Sequence, residues 1–166
     1  MRPDANRCFV CGPGNPIGLR LHFHIDDQDV CRSEFTPGPD HGGYDQLTHG
    51  GIVFSALDDV MANWMFLKGI RAHTARCEIR YRQPLVIGTR VLLEGRLVKQ
   101  KGKVAFLEGR MLKADDLGRT IRFVAEMPAH VCLNEIVITP TWNRLLIGGA
   151  ELRLVVNAGS VLEDEN

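Results

Sequence analysis

The chain has 166 residues, 45% of them hydrophobic and 24% charged, with 20 lysines and arginines against 20 aspartates and glutamates. This fits one ordinary globular domain with its own core, and a formal net charge of zero excludes bulk attraction to nucleic acid or to an anionic membrane. No apolar run approaches the roughly 20 residues that span a bilayer, and the start "MRPDANRCFVCG" lacks the apolar centre of a signal peptide, so a cytoplasmic protein is expected.

Residues 1–18 contain Pro3, Gly12, Pro13, Gly14, Pro16 and Gly18 and read as loop. Within them Cys8 and Cys11 form a C-x-x-C. With His22 and His24 downstream, a Cys2His2 zinc site is arithmetically possible, but the two histidines fall two apart on one strand face. Five cysteines without a disulfide-like spacing read as thiols in a reducing compartment; a C-x-x-C without metal is the favoured reading. "LRLHFHI" then alternates, with Leu19, Leu21, Phe23 and Ile25 on one face of a half-buried strand. "DDQD" is a polar turn and "VCRSEF" its hairpin partner. "TPGPDHGGYDQ" reads as a long loop, in which His41 is a surface residue or lines a site entrance.

A helix is predicted from about Gly50 to Leu67. Apolar residues occupy nearly all its faces, so it should be buried on most sides, and Lys68-Gly69 should stop it. "ARCEIRYRQP" is next, with Ala75, Cys77, Ile79 and Tyr81 on one strand face. "TRVLLEGRLVKQ" and "KVAFLEGRMLKA" form a hairpin about Lys101-Gly102. "DDLGR" is a second turn, and "TIRFVAEMPAHVCL" a last long strand with Pro128 at a bulge or edge. The organisation expected is a loop segment 1–18, a domain 19–132 and a C-terminal extension 133–166 without an assigned role. Two strands, one buried helix and about four antiparallel strands make an α+β fold. Such a sheet must curl around the helix, or a partner chain must cover it.

Two adjacent aspartates interrupt the helix. At 100° per residue, Asp58 shares its face with Gly51, Phe54, Met61, Ala62 and Met65, whereas Asp59 has Ser55 and Asn63 four residues away on either side. A carboxylate in apolar company is costly unless paired or functional, so Asp58 is the functional candidate and Asp59 the structural one. Gly50 and Gly51 open the helix where unpaired N–H groups and the positive dipole end meet. They suit a developing oxyanion, or simply a tight entry into a buried helix.

Three segments carry a family likeness: "CFVCGPGNPIGLRLHF", "LTHGGIVFSALDDVM" with Asp58 nine residues after His49, and "TARCEIRYRQPLVIGTRVLLEGRLVKQKGK" with its Tyr-x-x-Pro step. Over about residues 8–130 the chain resembles the hotdog-fold acyl-CoA thioesterases, of the phenylacetyl-CoA thioesterase type within the 4-hydroxybenzoyl-CoA thioesterase superfamily. The resemblance implies an antiparallel sheet of about 5–6 strands wrapped around one long central helix, and hydrolysis of acyl- or aryl-coenzyme A. It implies Gly50 as the backbone donor to the thioester carbonyl, with His49 supporting that carbonyl or orienting the loop. Asp58 would be nucleophile or general base, and Thr74 would bind the water or the carboxylate. Gly51, Arg76, Arg82 and Lys101, with Lys103 nearby, are candidates for binding substrate and its phosphates, although strand-end cations are usually solvated. No metal and no cofactor beyond the substrate's own coenzyme A is expected.

Gly50 and Asp58 are eight residues apart, roughly 12 Å along one helix, too far to share one carbonyl. A homodimer, or a dimer of dimers, with helices antiparallel across a two-fold axis would unite them. A non-catalytic acyl-CoA-binding or regulatory module is the alternative, and a hotdog hydratase or dehydratase a further one.

Overall fold

The structure, a computed structural model, describes residues 5–114 and 150–157. The expected first hairpin is present: His24–Ile25 (β1) pairs with Cys31–Phe35 (β2), His24 opposite Arg32. Asp26 organises its turn, one carboxylate oxygen accepting from the backbone N–H groups of Gln28 at 3.0 Å and Val30 at 2.9 Å and the other pairing with Arg32. The strand expected over Leu19–Ile25 is shorter than its alternation suggests. Leu19 and Leu21 instead donate their N–H groups to the carbonyls of Phe9 and Val10, each at 2.8 Å, which ties the N-terminal loop to the domain. Facing is as expected: Leu21 is buried while Arg20, His22 and His24 are exposed. The long loop before the helix holds more order than its glycines and prolines suggest. A 3₁₀ turn, Pro39–His41, leads into a small ribbon of Gly42–Tyr44 (β3) and Leu47–Thr48 (β4).

The helix α1 spans Gly50–Leu67, as its sequence pattern predicts. Val53, Ala56, Leu57, Val60, Met61, Trp64 and Met65 enter the core. Burial is not all-round, however: Ile52, Phe54 and Phe66 are half-buried and Leu67 is exposed. After α1 come His73–Tyr81 (β5), Val91–Lys101 (β6), Val104–Lys113 (β7) and Ala150–Asn157 (β8). The six-stranded sheet has the order β1-β2-β6-β7-β8-β5, with every neighbouring pair antiparallel. Helix α1 packs across β6, β7, β8, β2 and β5. At the centre, Gly95 of β6 lies directly under the helix backbone, where a Cβ would stand 2.8 Å from the Val60 carbonyl oxygen. A side chain there would lift α1 off the sheet. This is the hotdog arrangement, an antiparallel sheet wrapped around one long helix.

One boundary shifts. Residues 150–157, expected to belong to a C-terminal extension, supply β8 in the sheet interior between β7 and β5. "ELRLVV" does carry the period-two alternation of a strand. The "DDLGR" turn and the strand expected from "TIRFVAEMPAHVCL" lie outside the described residues.

Candidate active site

The start of α1 is built by histidines. His49 is the N-cap; its Nδ1 accepts from the Gly51 N–H at 2.9 Å, and its carbonyl accepts from Ile52 at 2.9 Å and Val53 at 3.3 Å. Of the helix-start donors that ordinarily lack a partner, Gly50 N–H alone has no acceptor among the described residues. His49 itself is held in place, its N–H donating to the His41 carbonyl at 2.8 Å, while His41 Nδ1 accepts from Gly38 N–H at 2.9 Å. His41, read from sequence as a surface residue or an entrance lining, is half-buried and fastens this loop. The geometry gives His49 and Gly51 to each other and leaves Gly50 open.

Tyr81 closes the other side of Gly50. Its hydroxyl donates to the Gly50 carbonyl at 2.9 Å, and its ring lies 3.4 Å from where a Cβ on Gly50 would be. A cavity of about 330 Å³ opens beside them, lined by Thr48, Gly50, Val53, Tyr81, Arg82 and Leu85 among others. The Thr48 hydroxyl is buried without a partner among the described residues. In the sequence Tyr81 is marked only as a strand-face residue and by the Tyr-x-x-Pro step, and nothing singles out Thr48. Of the four candidate cations, Arg82 lines this cavity, together with the unanticipated Lys113. Arg76 is exposed on β5, and Lys101 and Lys103 are exposed at the β6–β7 turn, on the far side of β8 from β5.

Asp58 lies half-buried further along α1, and Thr74 Oγ1 at the start of β5 donates to its Oδ1 at 3.2 Å. Burial pushes the Asp58 carboxyl above the usual carboxylate range, and the Thr74 hydrogen bond opposes this more weakly. Cys77, also on β5, has its thiol pushed up by burial first and by the Asp58 charge second. Asp59 faces elsewhere. Asn63 Nδ2 donates to its Oδ2 at 3.0 Å, but the other expected neighbour, Ser55, turns its hydroxyl to the Gly51 carbonyl at 2.8 Å.

Gly50 and Asp58 therefore touch β5 at opposite ends, at Tyr81 and Thr74. Within one chain the donor and the carboxylate are held apart by roughly 12 Å of helix. His73, which has no assigned role, is exposed.

Residues 46–119 match the family model for the Thioesterase superfamily. No curated protein matches the sequence. Among solved structures, a thioesterase superfamily protein superposes with a TM-score of 0.64 at 19% identity, over 88% of this chain; the chain spans only 60% of that protein. The E. coli PaaI protein from the phenylacetic acid degradation operon gives 0.61 at 14% identity, over 84% of this chain and 83% of its own. A Streptococcus mutans protein bound to acetyl-CoA gives 0.59 at 12% identity, over 82% and 86%. At such identities the likeness is one of fold.

Proposed function

We propose, from the match of residues 46–119 to the thioesterase superfamily model, that the protein is an acyl-CoA thioesterase whose site is completed by a second copy of the chain. The observation that carries the reading is the pair of features along the β5 side of α1: one open helix-start N–H at Gly50 and, eight residues on, a desolvated carboxylate at Asp58. The thioester oxygen would accept from Gly50 N–H, where the helix dipole favours developing negative charge. Asp58 would then attack the carbonyl carbon to give a mixed anhydride that water opens, or take a proton from an attacking water. Either route consumes one water and releases the free acid and the thiol of coenzyme A. Thr74 would hold the carboxylate in line.

The topology supports a dimer. Helix α1 and β5 run antiparallel, since Gly50 sits at Tyr81 and Asp58 at Thr74. Among the described residues strand β5 is also an edge of the sheet, and an exposed edge invites pairing. If two β5 edges pair antiparallel about a two-fold axis, the Thr74 end of one strand meets the Tyr81 end of the other. Asp58 would then approach Gly50 of the partner subunit. The cavity beside Gly50, with Val53, Leu85 and Met111 in its wall and Arg82 and Lys113 at hand, suits an apolar acyl or aryl group attached to an anionic carrier. The Streptococcus mutans structure bound to acetyl-CoA supports the same ligand class. Free thiols at Cys8, Cys11, Cys31 and Cys77 fit a reducing, cytoplasmic setting. Among the described residues, no helix is long and apolar enough to cross a membrane.

A panel of aryl- and acyl-CoAs assayed by thiol release tests the reading, with Asp58→Ala as control. Hydrolysis that depends on Asp58 is expected. Binding of acyl-CoA without hydrolysis would replace the enzyme with a non-catalytic acyl-CoA-binding module, and equal rates in Asp58→Ala would remove Asp58 from the chemistry.

A further inference from the structure

We propose that Cys8, Cys11 and Asp59 form a site for a thiolate-preferring divalent cation, zinc foremost, that fastens the N-terminal loop to the middle of α1. Their sulfur and carboxylate oxygen atoms all lie within 4.8 Å of one another, each residue half-buried. Tetrahedral zinc, with bonds of about 2.3 Å to sulfur and about 2.0–2.2 Å to oxygen, holds its ligand atoms somewhat closer than that limit, so small inward movements suffice. The histidines that spacing alone would recruit, His22 and His24, are exposed and outside this cluster. The third ligand comes from the helix, 48 residues beyond Cys11 in the chain.

The loop has the form of a thiolate cradle. The Cys11 backbone N–H is directed at Cys8 Sγ at 3.5 Å, and Gly12 N–H donates to the Cys8 carbonyl at 3.0 Å. A Cβ on Gly12 would stand 2.4 Å from Cys8 N and 2.5 Å from its carbonyl oxygen, so the turn that brings the two sulfurs together accepts only glycine. An N–H donor at a ligating sulfur stabilises its thiolate. On the helix side, buried Asn63 holds the Asp59 carboxylate through a 3.0 Å hydrogen bond. Two thiolates and a carboxylate match zinc better than magnesium or calcium, which prefer oxygen ligands. A tetrahedral ion would keep its fourth position for water. None of these groups takes part in the proposed hydrolysis, so the inference stands or falls independently of it.

The test is metal content of the full chain purified without chelator, followed by chelator stripping and titration with Co²⁺. One equivalent should bind per chain, with the near-ultraviolet thiolate-to-cobalt absorption of a sulfur-ligated ion. Cys8→Ser and Cys11→Ser should each weaken Co²⁺ binding at least about 100-fold and Asp59→Asn at least about 10-fold, while Cys77→Ser should bind like wild type. Absence of thiolate-to-cobalt absorption in the folded wild-type protein overturns the proposal, and that result needs no variant to fold. Unchanged affinity in Cys8→Ser and Cys11→Ser, or in Asp59→Asn, overturns it equally.

Discussion

Asp58 and Asp59 are adjacent in the chain and carry the same group, yet their surroundings share almost nothing. Asp58 turns toward β5, where the Thr74 hydroxyl donates to it, the Cys77 thiol lies near its charge, and burial raises its carboxyl. Asp59 turns toward the N-terminal loop, with an amide from Asn63 at 3.0 Å and the Cys8 and Cys11 sulfurs close by. There burial first, and the Asp59 charge second, push the Cys11 thiol up to about 12. One residue step rotates a helix by about 100°, and that rotation separates a strained carboxylate from a tethered one. A group whose charged form the fold disfavours is available for chemistry; a group whose partners satisfy it holds structure together.

Substituting the two aspartates in turn is the sharpest way to break this contrast. Asp58→Asn should lower kcat/KM for the best acyl-CoA by about 10³-fold or more, while Asp59→Asn should lower it far less. Stability should move the other way at Asp58. Its folded pKa lies above the unfolded value, so its favourable contribution is complete below the unfolded pKa and is lost as pH rises through the folded pKa. At neutral pH, well above the unfolded carboxylate range, burial of this carboxyl is a burden that Asn removes. Asp58→Asn should therefore melt no lower than wild type at pH 7, and its advantage should shrink as pH falls toward the unfolded carboxylate range. Thermal unfolding across that range checks the sign, and a clear loss of Tm at pH 7 would contradict the strained-carboxylate account.

The second contrast lies between the two ends of β5, and Gly50→Ala probes the other end. A Cβ there meets the Tyr81 ring at 3.4 Å, an ordinary contact, so the variant should fold with Tm within a few degrees of wild type. Activity should nevertheless fall about 10–100-fold, because the methyl group enters the space between Gly50 and Tyr81 and narrows the cavity that a thioester would use to reach Gly50 N–H. Mixing Asp58→Asn with a Gly50-blocked chain then tests the division of the site. In each hybrid dimer one site keeps both an intact Asp58 and an intact Gly50 from the partner subunit. Random exchange should restore about a quarter of wild-type activity, and no recovery after demonstrated subunit exchange would place both groups in the same chain.

The elements of the fold that rest on local signals were legible in the sequence. The bounds of α1 followed from its paired glycines, its apolar run and Lys68-Gly69, and the hairpins from polar turns between alternating segments. The Asp58–Thr74 contact was reached through a resemblance rather than through physics. What stayed hidden depends on chain distant in sequence. Tyr81 reaches Gly50 from 31 residues away, and nothing in its strand's alternation marks it. Asp59 meets Cys8 and Cys11 only because the N-terminal loop folds back over the helix, so spacing pointed to His22 and His24 instead. The alternation of β8 is visible in the sequence, but its place in the sheet is not, because its partners β7 and β5 lie far from it in the chain.

Thr74→Val gives the smallest of these effects and the most specific one. The hydroxyl's hydrogen bond to Asp58 Oδ1 lowers the carboxyl pKa against the larger effect of burial. Valine keeps the β-branched shape suited to a strand and removes only the donor. Asp58 must be ionised to act as nucleophile or base, so activity falls as pH drops through its pKa. Without the hydrogen bond that pKa rises further, and the acid limb of kcat/KM against pH should move to higher pH. At neutral pH the rate should fall by about 10-fold, with stability nearly unchanged because Thr74 is exposed. Serine at the same position should restore both the rate and the position of the limb. A Thr74→Val variant that loses rate with its acid limb unmoved would mean that the hydroxyl positions water rather than the carboxylate.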